Sequence, residues 1–185
     1  MGWKNVKEHY RIGHIVCVTE KGICIGSSYI HDIIVINPDG ALAKQYDRGS
    51  AVNTDLGRYQ SEMLEDPEKL RELINTPDTF ERSLTVYTYQ NGDILEKQCE
   101  EYGYPNVTHD GMVMYENRFH QDKETVVRWA KRNAAAGVEL LTDQVWDAEQ
   151  RLKERKDWLA AEIAFRNKLE YDYPYVVIKT EEQQQ

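Results

Sequence analysis

Apolar and small residues recur every three or four positions in the second half of the chain, at Val126, Ala130, Ala134, Gly137, Leu141, Val145, Ala148, Leu152, Leu159 and Ile163. That spacing follows the 3.6 residues of a helical turn and predicts one long amphipathic helix over 122–173. Asp122 suits the N-cap, where its side-chain oxygen accepts from the free backbone N–H groups of the first turn, and Pro174 forbids continuation. Gly137 costs about 1 kcal/mol relative to alanine inside a helix, yet the stripe stays in phase across it. A single helix kinked at Gly137 is therefore expected rather than two. Acids stand one turn before bases at Asp147 and Arg151, Glu149 and Lys153, and Glu162 and Arg166, a spacing that predicts surface ion pairs.

Upstream the period changes. Short apolar runs at 14–18, 23–25 and 33–36 are each bounded by turn residues, Lys21-Gly22, Gly26-Ser27-Ser28 and Asn37-Pro38-Asp39-Gly40, and predict a small antiparallel sheet. The run at 33–36 is apolar on both faces, so it belongs at the centre with helix over one side. After a polar connection at 47–53, residues 54–74 read as helix in two pieces, the second opened by Asp66-Pro67 and closed by Thr76-Pro77. Alternation over 83–89 predicts a strand, Asn91-Gly92 a tight turn, 94–102 a short helix ending at Gly103, and 112–116 a last strand. The fold class expected is α+β: a small antiparallel β-sheet with short helices and one long C-terminal α-helix.

This divides the chain into an α+β body at 1–121, the helix at 122–173 and an extended tail at 174–185. A continuous helix of that length measures about 75 Å, against about 35 Å for the body, so its second half is expected to pass beyond the body. Val145, Ala148, Leu152 and Leu159 then form a seam that needs cover, from a second chain or from a fold-back onto the body. Arg155 and Lys156 interrupt the seam, which makes a strict coiled coil a poor fit.

Charge narrows the partners. The chain has 185 residues and a net charge of −9, and between Gln45 and Glu101 there are 13 acidic against 6 basic residues. Phosphate backbones need basic surface, so direct nucleic-acid binding is not expected. The acidic middle, with Glu62, Glu65, Glu68 and Glu72 at its centre, reads as a solvated face or as a surface for a basic groove on another protein. No apolar run reaches the ~20 residues that cross a bilayer, and the start of the chain lacks a signal-peptide core, so a cytoplasmic protein without membrane contact is expected. Cys17, Cys24 and Cys99 have no metal-type spacing and read as reduced, buried thiols.

Chemical motifs are sparse. His14 and Cys17 stand three apart on a strand, hence on opposite faces, and cannot activate one another. The loop at 104–111 holds His109 and Asp110, with Glu116 and His120 nearby; these residue types suit a ligand site or an acid–base pair, although Asp110-Gly111 serves equally as a turn. No P-loop, dinucleotide loop, serine elbow or zinc-binding histidine pair is present, so no cofactor, metal or catalytic residue is expected. Tyrosine is abundant, 12 residues against 3 phenylalanines, and Tyr102, Tyr104, Tyr171 and Tyr173 offer the large amphipathic surface that suits an interface.

At 104–116, at 129–137 and in the Lys21-Gly22-Ile23-Cys24-Ile25-Gly26 run, the chain resembles small accessory proteins encoded by tailed bacteriophages. The resemblance transfers no activity or catalytic residue. It implies a setting, the infected bacterial cytosol, in which small acidic non-enzymatic proteins often bind and block host machinery. The expected function is thus a bacteriophage accessory protein that binds and inhibits a host defence or metabolic protein. The alternatives are a small enzyme or ligand-binding protein around His109 and Asp110, and an assembly protein oligomerising through the long helix.

Overall fold

The structure, a computed structural model, describes residues 1–47 and 54–176. Most of the 47–53 connection and the tail from 177 onward lie outside the described residues. The chain forms two compact units, Met1–Arg132 and Asn133–Gln185.

In the first unit, β1 (Ile15–Thr19), β2 (Gly22–Gly26), β3 (Ile34–Ile36) and β4 (Leu42–Lys44) form an antiparallel sheet in chain order. Period-two alternation sends Val16, Ile23, Ile25, Ile34 and Ile36 to one face. There they pack under α1 (Trp3–His9), α2 (Thr54–Glu65) and α3 (Pro67–Asn75), through Val6, Leu56, Tyr59, Met63, Leu70 and Ile74. Cys17, Cys24 and Val35 turn to the other face and pack with Ile15 and Val113. The central, doubly apolar β3 therefore has helix over one side, as its pattern predicts, and packs on its other face against Ile15, Cys17, Cys24 and Val113.

Two smaller antiparallel pairs complete the strands, β5 (Leu84–Gln90) with β6 (Asp93–Cys99), and β7 (Asn106–Val107) with β8 (Val113–Met114). The β5–β6 hairpin corrects the expected helix at 94–102. Asn91 and Gly92 adopt φ of 52° and 91°, the left-handed values of a two-residue hairpin turn, and the ladder runs in register from Gln90↔Asp93 to Leu84↔Cys99. The helix-forming residues Leu95, Glu96, Lys97 and Gln98 are overridden by that pairing. Helix α1 was not expected from the sequence, though Trp3, Val6 and Tyr10 mark one buried face at helical spacing.

Elsewhere the local signals hold. Asp66 caps α3 by accepting from the Lys69 N–H at 2.9 Å, with Pro67 in the first helical position. Asp122 caps α4 (Lys123–Asp172), accepting from the backbone N–H groups of Glu124 at 3.2 Å and Thr125 at 3.0 Å. Helix α4 is uninterrupted through Gly137. Its early turns belong to the first unit, where Val126 is fully buried, and its remainder forms the helix of the second. The three ion pairs expected on α4 are not formed; the bridge present there is Arg166 to Glu170 at 3.8 Å. Exposed pairs on a helix gain little from closing, because water solvates both charges.

Candidate functional site

The loop at 104–111 is held by its own polar side chains. Gly111, at φ 88°, hands its carbonyl to the Val18 N–H at 2.9 Å, and a Cβ on Gly111 would fall 2.3 Å from Val18 Cγ2. Asp110 is bound by Lys97 and by the Thr108 hydroxyl. Burial opposes its charge, but those hydrogen bonds outweigh burial and hold the carboxyl below the usual range.

His109, one residue away, has different neighbours. Its ring stacks on Phe80 with centroids 3.8 Å apart and planes 6° from parallel, and its carbonyl accepts from Trp3 Nε1 at 3.0 Å. Glu116 is exposed, near enough to Tyr104 to add to the effect of burial in raising that phenol's pKa. His120 accepts through Nδ1 from the Asp122 N–H at 2.9 Å and meets Trp129 edge-on at 5.6 Å. The four residues singled out in the sequence thus share no partner: His109 stacks on Phe80, Asp110 binds Lys97 and Thr108, Glu116 faces solvent and His120 packs on Trp129.

His109 does line a cavity of about 540 Å³ between α1, the 80–82 segment, the end of β6 and β7. At its heart Lys4 Nζ, 2.8 Å from Glu100 Oε1, also donates to the Thr79 carbonyl at 2.9 Å, and Glu100 accepts from the Glu81 N–H at 2.7 Å. Burial disfavours both charges, yet each partner outweighs it: Lys4 is raised and Glu100 lowered. Lys7, Arg11 and Arg82 stand around the same space, and its lining contains no serine, threonine, cysteine or tyrosine to serve as a nucleophile. Lys4 and Glu100 are 96 residues apart in the chain, so only the fold brings this pair together.

The thiols are free and buried. Cys17 and Cys24 face each other across β1 and β2, and the hydrogen bond between them, with burial, pushes Cys17 well above the usual thiol range. His14 packs instead against Tyr59, with ring centroids 5.7 Å apart, so it forms no dyad with Cys17. Among the described residues no cluster of three or more His, Cys, Asp and Glu could hold a metal ion.

Of the surfaces expected to meet partners, the acidic one lies on α2 and α3. Glu62 accepts through both oxygens from Arg58 at 2.9 and 3.1 Å and Glu72 pairs with Lys69 at 2.9 Å, and Glu65, Glu68 and Glu72 are exposed. Tyr102, Tyr171 and Tyr173 are exposed; Tyr104 is tied down by its hydroxyl, which donates to the Phe119 carbonyl. A run of exposed apolar side chains lies on α4 in the second unit. Val138, Leu140, Leu141, Val145, Trp146, Leu152, Trp158, Leu159, Ile163, Phe165 and Leu169 are between 42% and 67% exposed, and Ala148 among them is exposed too. Scattered apolar side chains are ordinary on a surface; here they recur along one helix from Val138 to Leu169. No described helix is long and apolar enough to cross a membrane. Comparison with protein-family models, with curated proteins and with solved structures finds no match to this chain, so its function is read from its own geometry.

Proposed function

We propose that this chain is a non-enzymatic accessory protein that acts by binding protein through the helix of its second unit. The observation that carries the reading is the run of exposed large apolar side chains on α4 from Val138 to Leu169. Burying one such side chain is worth about 1.5–3 kcal/mol, so covering Val145, Leu152 and Leu159 alone supplies several kcal/mol toward association. The resemblance to bacteriophage accessory proteins supports the bacterial cytosol as the setting and a host protein as a target.

Replacing Leu152→Asp together with Leu159→Asp sets two carboxylates in that face. The expected result is loss of association, read by light scattering and by capture on immobilised chain, with helical circular dichroism and the melting of the first unit preserved. Undiminished association in the double variant overturns the reading.

A further inference from the structure

At about 100° per residue, Ala134, Val138, Leu141, Val145, Ala148, Leu152, Leu159 and Ile163 fall within a sector about 80° wide, and the stripe runs for about 44 Å along α4. Its spacing reads nearly the same from either end, about the point between Ala148 and Glu149. Laid against a reversed copy of itself, the stripe matches Val145 with Leu152, Val138 with Leu159 and Ala134 with Ile163, a smaller side chain meeting a larger one each time. All six are exposed in the single chain.

Resting on the protein-binding reading above, we infer that the partner of this face is a second copy of the chain, its α4 antiparallel and centred between Ala148 and Glu149. At about 100° per residue Leu140 and Trp158 lie about 120°, and Asp147 about 140°, from the middle of the stripe and face away from the partner, so the pairing rests on the apolar matches themselves. Two-fold symmetry makes every such contact twice, because residue i against j implies j against i. Leu141 lies beside Lys156, whose alkyl stem can cover it while the ammonium stays in water. Glu149 comes near its own counterpart at the axis, with Lys153 one turn away on the same flank to offset the repulsion.

The parallel alternative is worse on charge. In register it sets Arg155 against Arg155 and Glu162 against Glu162 along the seam, whereas the antiparallel pairing separates the two Arg155 by about 20 Å along the axis and the two Glu162 by about 40 Å.

Light scattering on the purified full chain should give twice the 21.6 kDa of one chain, returning to the single mass in the Leu152→Asp, Leu159→Asp variant. Direction is read by disulfide cross-linking. A mixture of the Val138→Cys and Leu159→Cys chains should give the mixed cross-linked dimer, and neither chain alone should cross-link beyond the unsubstituted protein. Self-cross-linking of each variant without the mixed product overturns the antiparallel pairing. A single-chain mass at every concentration overturns self-association; if Leu152 and Leu159 then still govern capture of a defined other protein, the binding reading of α4 survives that failure, and if they do not, both fall.

Discussion

Lys4 and Glu100 show how much one side-chain pair contributes at the wall of the cavity. Lys4 is 14% and Glu100 28% exposed, and between them they satisfy the Thr79 carbonyl and the Glu81 N–H. Hydrogen bonds to charged groups of this kind contribute about 1.5–3 kcal/mol, so Lys4→Ala should lower the unfolding free energy of the first unit by about 2 kcal/mol in a urea melt. The sign of the pH dependence follows from the two shifts. Glu100 is lowered, so its share is present above the ordinary carboxylate value near 4.3 and is lost as pH falls through the folded value. Lys4 is raised, so its share is full below about 10.4 and is lost as pH rises through the folded value. The difference between wild type and Lys4→Ala should therefore be constant between those limits and shrink outside them; a difference absent at neutral pH refutes the pair's contribution.

Among the elements, α4 carries a prediction at its one weak position. Gly137 is half-buried, yet a Cβ built there meets nothing within 4 Å. Gly137→Ala removes backbone freedom from the unfolded chain without a steric cost, so it should stabilise the helix by about 1 kcal/mol. Amide hydrogen exchange through residues 133–145 is expected to slow about five-fold, since 1.4 kcal/mol corresponds to ten-fold. Unchanged or faster exchange would mean that the glycine serves a bend or a close approach in the assembled protein. The β5–β6 hairpin makes the opposite point about propensity: a stretch rich in helix formers is a strand because a two-residue turn returns it along an existing strand in register.

On the scale of the whole molecule, charge is divided between a carboxylate-rich α2–α3 surface and a helix that carries both signs. Of the four acids on the first, Glu62 pairs with Arg58 and Glu72 with Lys69, leaving Glu65 and Glu68 without such a pair among the described residues. Substituting Glu62, Glu65, Glu68 and Glu72 by lysine should leave the melting of the first unit nearly unchanged, because exposed pairs contribute only about 0–1 kcal/mol. Capture by a polylysine surface, followed by interferometry, should slow by about 10-fold or more at low salt, since surface charge steers association by that order. The difference should fade near physiological ionic strength, where the Debye length is about 8 Å. Equal capture by both proteins would assign the acidity to solubility alone.

Local chemistry was legible from the residues. The caps at Asp66 and Asp122, the break at Asp66-Pro67, the strands at 15–19, 22–26 and 34–36 and the continuity of α4 through Gly137 depend on near neighbours and on period, and the structure has each of them. What depended on distant partners was not legible. Helix α1 needs Ile74 and the sheet beneath it, β6 needs β5, and the cavity joins residues 96 positions apart. The same limit applied to His109, Asp110, Glu116 and His120: closeness in sequence suggested one site, whereas tertiary packing gave Phe80 to the first, Lys97 to the second, solvent to the third and Trp129 to the last. Sequence alone determines which backbone states are cheap and where an apolar stripe lies; which side chains meet is decided by packing, because contact energy depends on distance in space and not along the chain.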